Sequence, residues 1–518
     1  MNKTLCKYIT HQEPFGPRDA GTIDIADHEA LRLLFDPNNK IFLELESNPS
    51  MVFGRRGSGK TSYLHTAFIQ NQYEVVDELK SSSTFSEVIR AIQQSGGDFY
   101  FYEEVAELWE KLLQIALLPK IAATYSSPAR DVALIKDYLG KHGYKGAKGV
   151  QRFLWNVLIA IRKHGPSDKA VTAAAKVVED VTGATFDEVA EAVTRVLAEN
   201  NATAILLIDS FDQYPTNLEN FEHAMAGLLR CVGQFNKCHD DIHLRICFPS
   251  ELYHFFFRIS PAPLKDFGYT LILHWHAQEL LSIAAHRLNL YLDLYYSDRH
   301  DKQTLSSKES VRRLIDAYFP KMVQNGLGVQ EESVAYILRH TQLLPRHLVM
   351  FLNSIFQKSR KRDATYPEVS ETAVIEGIRA VEGLLAKEVI SAYKQIYPTI
   401  EAVCLKCIPE LPLSFSEGEL HKAFNRYGKK ASGFDDYAKF KDLLTETGIV
   451  GIVIGETDRY LVGRFEYTMP HKLVTSSSDK LCLHPVFAEV FHFRKRDSGH
   501  RAIYPYGSDP DGIDYREF

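Results

Sequence analysis

The stretch from Gly54 to Thr61, GRRGSGKT, limits the possible folds of this chain more than any other feature. It fits the phosphate-binding loop pattern G-x-x-x-x-G-K-[ST] at every position. The apolar segment Ser50–Phe53 precedes it and predicts a short buried strand. The amphipathic run Thr61–Gln70 follows and predicts a helix whose N-terminus would face an anion. A strand, a glycine-rich turn and a helix in this order predict an α/β fold.

The residue types of the loop suit a triphosphate with its metal ion. Glycines allow the backbone N–H groups to turn inward toward phosphate oxygens. Lys60 can reach the β- and γ-phosphates, and the Thr61 hydroxyl can ligate Mg²⁺. The flanking strand and helix argue against an accidental glycine-rich turn. The predicted nucleotide-binding residues are Gly54, Gly57, Ser58, Gly59, Lys60, Thr61 and Ser62.

A second acidic element supports this interpretation. The apolar run Ala204–Ile208 ends in Asp209 and predicts a strand buried on both faces of a parallel sheet. Asp209 would then emerge beside the loop and hold Mg²⁺ together with Thr61, usually through water. Alone, an aspartate after a strand can equally cap a helix. The loop upstream makes the metal role the stronger hypothesis.

Composition places the chain among globular proteins. Its 518 residues predict about three domains, and a net charge of −6 argues against nucleic-acid binding through bulk charge. The first residues lack the apolar core of a secretory signal, and every apolar run is shorter than the roughly 18 residues of a membrane span. Seven scattered cysteines favour a reducing cytoplasm. Cys404 and Cys407 form a single C-x-x-C, which favours packing on one helix face over metal or redox work.

Periodicity divides the chain into five predicted parts. These are an N-terminal lead with the first part of the ATPase-like core (1–80), a helical insertion (81–199), the second part of the core (200–276), a helical lid (277–365) and a winged-helix-like C-terminal domain (366–518). Three further strands, at 73–76, 243–248 and 269–273, complete the expected parallel, doubly wound sheet. The lid is expected to be helical throughout 277–358.

Two regions suggest contact with a macromolecule. The insertion carries a basic, glycine-broken segment, although a solvated helical face is the commoner meaning of such charge. Its cations are Lys141, Lys145, Lys148, Arg152, Arg162 and Lys163. In the C-terminal domain, helical segments at 381–396, 417–425 and 437–446 precede short strands at 448–454, 459–462 and 465–468, the outline of a winged helix. Its expected recognition helix mixes Lys439 and Lys441 with acids, which favours packing or protein contact over DNA reading.

The segments GRRGSGKT, ILLIDSFDQ and LLPRHLVMFLN, in this order and before a winged-helix-like end, resemble the ASCE branch of P-loop ATPases. The likeness is greatest to bacterial relatives of the AAA+ origin-recognition and STAND signalling ATPases. The resemblance implies ATP as the nucleotide. It also implies that Arg346 is the lid arginine that touches the γ-phosphate and that Ser250 is a polar sensor after the fourth strand.

One position departs from this family pattern. Such ATPases commonly place a glutamate directly after the magnesium aspartate to orient the attacking water, whereas this chain has Ser210. Asp212 or Glu251 can substitute, so Asp212 is a candidate catalytic residue, although it could equally cap the following turn. We therefore expect hydrolysis to be slow or triggered by a partner. Arg258 and Arg287 are candidates for an arginine finger supplied in trans, although surface salt bridges explain either residue better.

Two classes of function follow from the resemblance. The first is an ATP-driven switch that self-associates and activates an effector protein encoded separately, with phage defence as the setting by analogy. No nuclease, protease or TIR-like constellation is visible in the sequence. The alternative is a DNA-associated ATPase, a loader or transposition-type regulator, that uses the winged helix and the basic insertion.

Overall fold

The structure is a computed structural model. It describes residues 4–35, 48–69, 72–79, 101–141, 186–209, 219–260, 262–267, 270–300, 304–326, 328–359, 367–468, 473–488, 490–491 and 501–508. Two compact units divide the chain: the first comprises Met1–Leu43, Arg56–Gly59 and His274–Phe518, and the second comprises Glu44–Arg55 and Lys60–Leu273. The phosphate loop therefore contributes residues to both. None of the described helices is long and apolar enough to cross a bilayer.

A five-stranded parallel sheet forms the centre of the second unit. Its strands are β1 (Met51–Gly54), β2 (Val75–Leu79), β3 (Ala204–Ile208), β4 (Ile242–Pro249) and β5 (Thr270–Leu273). They lie in the order β2-β3-β4-β1-β5, and every neighbouring pair is parallel. All residues of β1 and β3 are buried, as expected for apolar strands covered on both faces. The predicted α/β fold with a parallel sheet is confirmed.

The helices of the second unit connect these strands. We number the described helices of the whole chain in sequence order, starting from α1 (His28–Leu34) in the first unit. The second unit then contains α2 (Lys60–His65), α3 (Phe101–Thr124), α4 (Ala129–Lys141), α5 (186–199), α6 (Glu219–Cys238), α7 (Tyr253–Ile259) and α8 (Pro263–Asp266). The loop helix α2 is shorter than predicted, because it tightens into a 3-10 turn at Thr66–Phe68.

The helical part of the first unit departs from the expectation of an all-helical lid. Its helices are α9 (Ala277–Tyr295), α10 (Lys308–Asp316), α11 (Ser333–Arg339), α12 (Pro345–Ser359) and α13 (Glu371–Tyr393). Between α10 and α11 lies an antiparallel hairpin of β6 (Met322–Gln324) and β7 (Gln330–Glu332). In β6 the buried Val323 stands between exposed neighbours, which is the two-residue period of a strand. Gly328, at φ 80°, allows the turn.

The C-terminal part of the first unit combines helices with a second sheet, consistent with the predicted winged helix. The helices are α14 (Ile400–Cys407), α15 (Glu417–Ala423), α16 (Lys429–Ser432), α17 (Tyr437–Glu446) and α18 (Pro485–Ala488). The strands are β8 (Ser414–Ser416), β9 (Val450–Glu456), β10 (Tyr460–Arg464), β11 (Lys480–Leu483) and β12 (Ala502–Pro505), in the order β12-β10-β9-β11-β8. The predicted hairpin is β9–β10. Residues 466–468 form a 3-10 turn, so the strand predicted at 465–468 is wrong.

A buried ion pair joins elements of the first unit that are distant in sequence. Arg339 of α11 donates from Nε to Glu331 Oε2 at 2.7 Å and from Nη2 to Glu331 Oε1 at 2.9 Å. The hydroxyl of Tyr504, in β12, donates to the same carboxylate. Burial is the largest influence and lowers the pKa of Arg339, but Glu331, Tyr504 and Tyr336 together raise it by more, so the pKa lies above its usual value. This cluster links the hairpin, α11 and β12.

Cys404 and Cys407 are both completely buried within α14. Burial raises the pKa of both thiols, that of Cys407 to about 12. Among the described residues no group of three His, Cys, Asp or Glu side chains is placed to hold a metal ion. These observations agree with the packing interpretation of the C-x-x-C.

Candidate nucleotide-binding site

The backbone of the phosphate loop explains its glycines. The loop runs from the end of β1 at Gly54 to the start of α2 at Lys60. Gly57 has φ 86° and Gly59 has φ 94°, both in the left-handed region that residues with a Cβ avoid. Successive residues of alternating handedness turn their N–H groups toward one concave side, the arrangement that binds anions. Ser58, between the two glycines, is 1 % exposed.

Lys60 lies folded over the loop that it follows. Its side chain is buried, and Nζ donates to the carbonyl oxygens of Gly54 at 2.9 Å and Arg55 at 3.3 Å. Among the described residues, these two neutral carbonyls satisfy the buried ammonium. Phosphate oxygens offer the same ammonium full negative charges, so the lysine is suited to bind them.

The two predicted magnesium ligands are in direct contact. Thr61 Oγ1 donates to Asp209 Oδ2 at 2.8 Å. Thr61 follows β1 and Asp209 follows β3, two strands that are separated by β4. Because all five strands are parallel, their carboxyl ends meet at one edge of the sheet, and this brings together two residues 148 positions apart. A hydroxyl and a carboxylate oxygen at this separation are ligands that suit Mg²⁺.

Ser250 and Ser62 lie close to this edge in the fold. Pro249, the last residue of β4, is the register partner of Gly54. Ser250 follows it directly and opens a 3-10 turn that continues through Glu251. Ser62 is half-buried in the first turn of α2. The structure gives neither serine a hydrogen bond that would assign it a role, so both stay predictions.

Several sequence predictions lie outside the described residues. Among these are Ser210 and Asp212, the two positions that bear on the catalytic water. The basic segment beyond Lys141 is also outside them. The catalytic role of Asp212 therefore stays a prediction from the sequence.

Trp275 contacts the loop, and the sequence analysis missed it. Its indole Nε1 donates to the carbonyl oxygen of Ser58 at 2.7 Å, and the side chain is buried. A Cβ added at Gly59 would lie 3.8 Å from the Trp275 ring. The indole thus fixes one carbonyl of the loop by a buried hydrogen bond. The signal available in the sequence was a tryptophan two residues after a predicted core strand.

Arg346 contacts the loop through its main chain and the stem of its side chain. It follows Pro345 in the first turn of α12, and its backbone N–H donates to Gly57 O at 3.3 Å. A Cβ at Gly57 would lie 3.0 Å from Arg346 Cβ. Its guanidinium binds elsewhere: Nη1 donates to Glu388 Oε1 at 2.6 Å and Nε donates to Arg18 O at 3.3 Å. Arg346 therefore adjoins the loop within the first unit, with its charge paired to a carboxylate.

The two candidate arginine fingers differ in accessibility. Arg258 is exposed on α7, where its guanidinium lies 5.6 Å from the Phe255 ring centroid. Arg287 is buried in α9 and donates from Nη1 to Phe15 O at 2.8 Å. Burial lowers the pKa of Arg287 to about 10. A finger must reach a neighbouring molecule, so the structure removes Arg287 from consideration and leaves Arg258.

The two lysines of the expected recognition helix have different surroundings. Lys439 is exposed on α17, but Lys441 is buried and its Nζ lies 2.9 Å from Glu417 Oε2. Glu417 is 24 residues away from Lys441 in the sequence, so this ion pair could not be predicted from the sequence. Lys441 is a packing residue and cannot serve as a surface cation.

Comparison with known proteins gives only distant similarities. No protein family model matches the chain, and no curated protein matches it. The ORC2 protein of Aeropyrum pernix in its ADPNP–ADP complexes has a TM-score of 0.35 at 12% identity, covering 90% of this chain and 93% of the other. Cdc6p from Pyrobaculum aerophilum has a TM-score of 0.28 at 11% identity, covering 93% of this chain and 98% of the other. The ADP form of the Aeropyrum pernix ORC2 protein has a TM-score of 0.25 at 14% identity, covering 90% of this chain and 93% of the other. At such TM-scores these similarities support no conclusion about this chain.

Proposed function

We propose that this protein is an ATP-binding molecular switch of the P-loop ATPase class that binds ATP·Mg²⁺ at residues 54–61. The observation that carries the proposal is the 2.8 Å contact between Thr61 Oγ1 and Asp209 Oδ2. This contact supports the proposal, because a hydroxyl and a carboxylate are oxygen ligands of the kind that Mg²⁺ prefers and Thr61 directly follows the lysine of the loop. In this proposal Lys60 binds the β- and γ-phosphates, Thr61 and Asp209 hold Mg²⁺, and the loop N–H groups bind phosphate oxygens.

Hydrolysis in this proposal is slow, or is triggered by a partner. Ser210 stands where related ATPases carry a water-orienting glutamate, and Asp212 or Glu251 takes that role. Arg258, exposed on α7, is the remaining candidate for a finger contributed by a second copy. A finger of this kind raises turnover by roughly 10³–10⁵ in other phosphoryl-transfer enzymes. Self-association would therefore control the rate.

The biological output in this proposal belongs to a separate effector protein, with phage defence as the setting. The support is negative and comes from the sequence, in which we find no second catalytic constellation. The winged-helix-like part would then make protein contacts. Lys441 supports this, since one of the two cations expected on its recognition helix is buried against Glu417.

The proposed nucleotide site is tested by replacing its lysine. Lys60→Ala removes the ammonium that offsets the phosphate charges, so we expect calorimetry to detect no binding of ATP·Mg²⁺ to this variant. Lys439→Ala removes an exposed lysine from α17 and serves as the matched control, with wild-type affinity expected. Equal affinity in all three proteins would refute the proposed site.

A second candidate function, association with DNA, is favoured by one exposed basic face. Four cations on consecutive turns of the helical run 417–432 are all exposed, and the partly exposed Tyr427 lies among them. They are Lys422, Arg426, Lys429 and Lys430. Such a face, rather than the predicted recognition helix, is the described part of the C-terminal domain best suited to bind phosphates.

This candidate is tested by salt-dependent binding of duplex DNA, measured by fluorescence anisotropy. If the basic face binds phosphates, changing its four cations to Gln lowers the slope of log K against log salt concentration by roughly 3–4. Lys439→Gln on α17 is the control and should leave the slope unchanged. A complex that disappears near physiological salt, equally in both variants, would favour the protein-contact function.

A further inference from the structure

The Arg346–Glu388 ion pair stands next to the phosphate loop in the first unit. The Arg346 backbone N–H bonds to Gly57 O, while its guanidinium reaches Glu388 at 2.6 Å. The two side chains are 24% and 22% exposed. The pair is thus ordered by its surroundings and is still reachable by an anion from solvent.

The backbone of Arg346 is fixed more firmly than its guanidinium. Pro345 begins α12, and the approach of Arg346 Cβ to Gly57 leaves no room for a side chain on the loop. Beyond the stem, the guanidinium is held by one carboxylate and one carbonyl, that of Arg18. A change of rotamer at the end of the side chain would therefore exchange these partners without moving α12 from the loop.

Glu388 belongs to a helix that is closely packed against α12. A Cβ at Gly377 of α13 would lie 2.6 Å from Ile355 Cγ1 and 2.7 Å from Ile355 Cα, so the two helix backbones nearly touch. Further along α13, Tyr393 donates from its hydroxyl to Glu446 O at 3.0 Å, at the end of α17. The chain of contacts from Arg346 through α13 to α17 lies entirely in the first unit.

We infer that Glu388 is a positioning residue that competes with the terminal phosphate of a bound nucleoside triphosphate for the Arg346 guanidinium. The planar N–H donors of the Arg346 guanidinium can bind the oxygen acceptors of a terminal phosphate as they bind those of a carboxylate, and the phosphate carries more negative charge. ATP therefore takes Arg346 from Glu388, whereas ADP, which has no γ-phosphate, leaves the pair intact. Loss of the pair removes one contact between α12 and α13, and through this change the nucleotide state reaches α13. This inference rests on the proposed nucleotide site.

The test compares affinities for ADP and for a non-hydrolysable ATP analogue by calorimetry in the full chain. Glu388→Gln keeps the side-chain volume but removes the competing charge. We expect it to tighten analogue binding about threefold to fivefold and to leave ADP affinity within error of wild type. Glu388→Asp retains the carboxylate and should restore the wild-type preference. In the Arg346→Ala background, Glu388→Gln should have no effect on either affinity.

A purely structural role for Glu388 predicts other results. If the role is purely structural, Glu388→Gln changes the affinities for ADP and for the analogue by the same factor, or has the same effect with and without Arg346→Ala. Either result overturns the inference. Hydrogen exchange of Glu371–Tyr393 gives a second measurement: the analogue but not ADP should speed exchange in wild type, and Glu388→Gln should show fast exchange without nucleotide. If wild type binds neither nucleotide, the proposed function fails together with the inference. If it binds both and Glu388→Gln changes nothing, only the inference fails.

Discussion

Single side chains at the carboxyl edge of the parallel sheet decide whether a metal ion can be held there. Thr61 and Asp209 share one hydrogen bond of 2.8 Å, in which the hydroxyl proton points to the carboxylate. The lone pairs of the Thr61 oxygen are then available to a metal ion, and Asp209 can hold the same ion directly or through water. The Asp209 carboxylate contributes more to the binding of Mg²⁺ than the Thr61 hydroxyl does, because a neutral oxygen is a weaker ligand for this ion.

Asp209→Asn should separate nucleotide binding from turnover. The amide keeps the shape of the side chain, so ATP affinity measured without metal should be close to wild type. Magnesium-dependent phosphate release should fall about 10–100-fold, the usual loss when an outer-shell partner of a metal is removed. Asp240→Asn, an exposed aspartate before β4, is the control. Equal release rates in all three proteins would mean that another acid holds the metal.

At the scale of secondary-structure elements, the stability of the β6–β7 hairpin depends on one buried side chain, that of Glu331. Glu331 of β7 is 2% exposed and accepts hydrogen bonds from Arg339, Asn325 and Tyr504. Its carboxylate neutralises a guanidinium that is itself buried in α11. Removing one member of such a pair leaves the other charge without compensation, which costs more than the intact pair contributes.

Glu331→Gln should lower the free energy of unfolding of the first unit by about 3–5 kcal/mol. Chemical denaturation followed by circular dichroism measures this loss. Glu401→Gln breaks the exposed Lys394–Glu401 pair and should leave stability unchanged, because water already solvates both charges. A similar stability for both variants would show that the Arg339 cluster relaxes around the change.

Elements that satisfy a local pattern could be predicted from the sequence. β1 and β3 are apolar runs beside a motif, and α17 begins with an aspartate cap at Asp436. The short strands β8, β11 and β12 could not be predicted, because each has three or four residues and pairs with a distant segment. The turn of the missed hairpin contains Asn325-Gly326, a local signal that was available.

The same limit applies to the candidate site. The loop and Asp209 carry their chemistry in their own residue types. The Trp275 bond to Ser58 and the Glu388 bond to Arg346 depend on which surfaces meet after folding. Side-chain partners 42 or more positions apart leave no periodic trace in a single sequence.

At the scale of the whole molecule, the proposed function implies that the identity of the bound nucleotide controls self-association. If Arg346 binds the γ-phosphate, the non-hydrolysable ATP analogue but not ADP should change particle mass or radius of gyration. Arg346→Ala should keep ADP affinity and lose this response. Lys387→Ala, which removes an exposed charge next to Glu388, is the control. Mass photometry and small-angle scattering measure the two quantities, and an identical response in Arg346→Ala and wild type would exclude the sensing role.

The strand order has a consequence for how this protein is made. β1 pairs only with β4 and β5 among the described strands, and Met51 lies opposite Ile246, almost two hundred residues later. A ribosome that adds about 5–20 residues per second needs roughly 10–40 s to cover that distance. Throughout that time the apolar strand that leads into the phosphate loop lacks both neighbours. The nascent chain therefore exposes this apolar strand over the interval, and a product that stops before residue 242 lacks both strands that pair with β1.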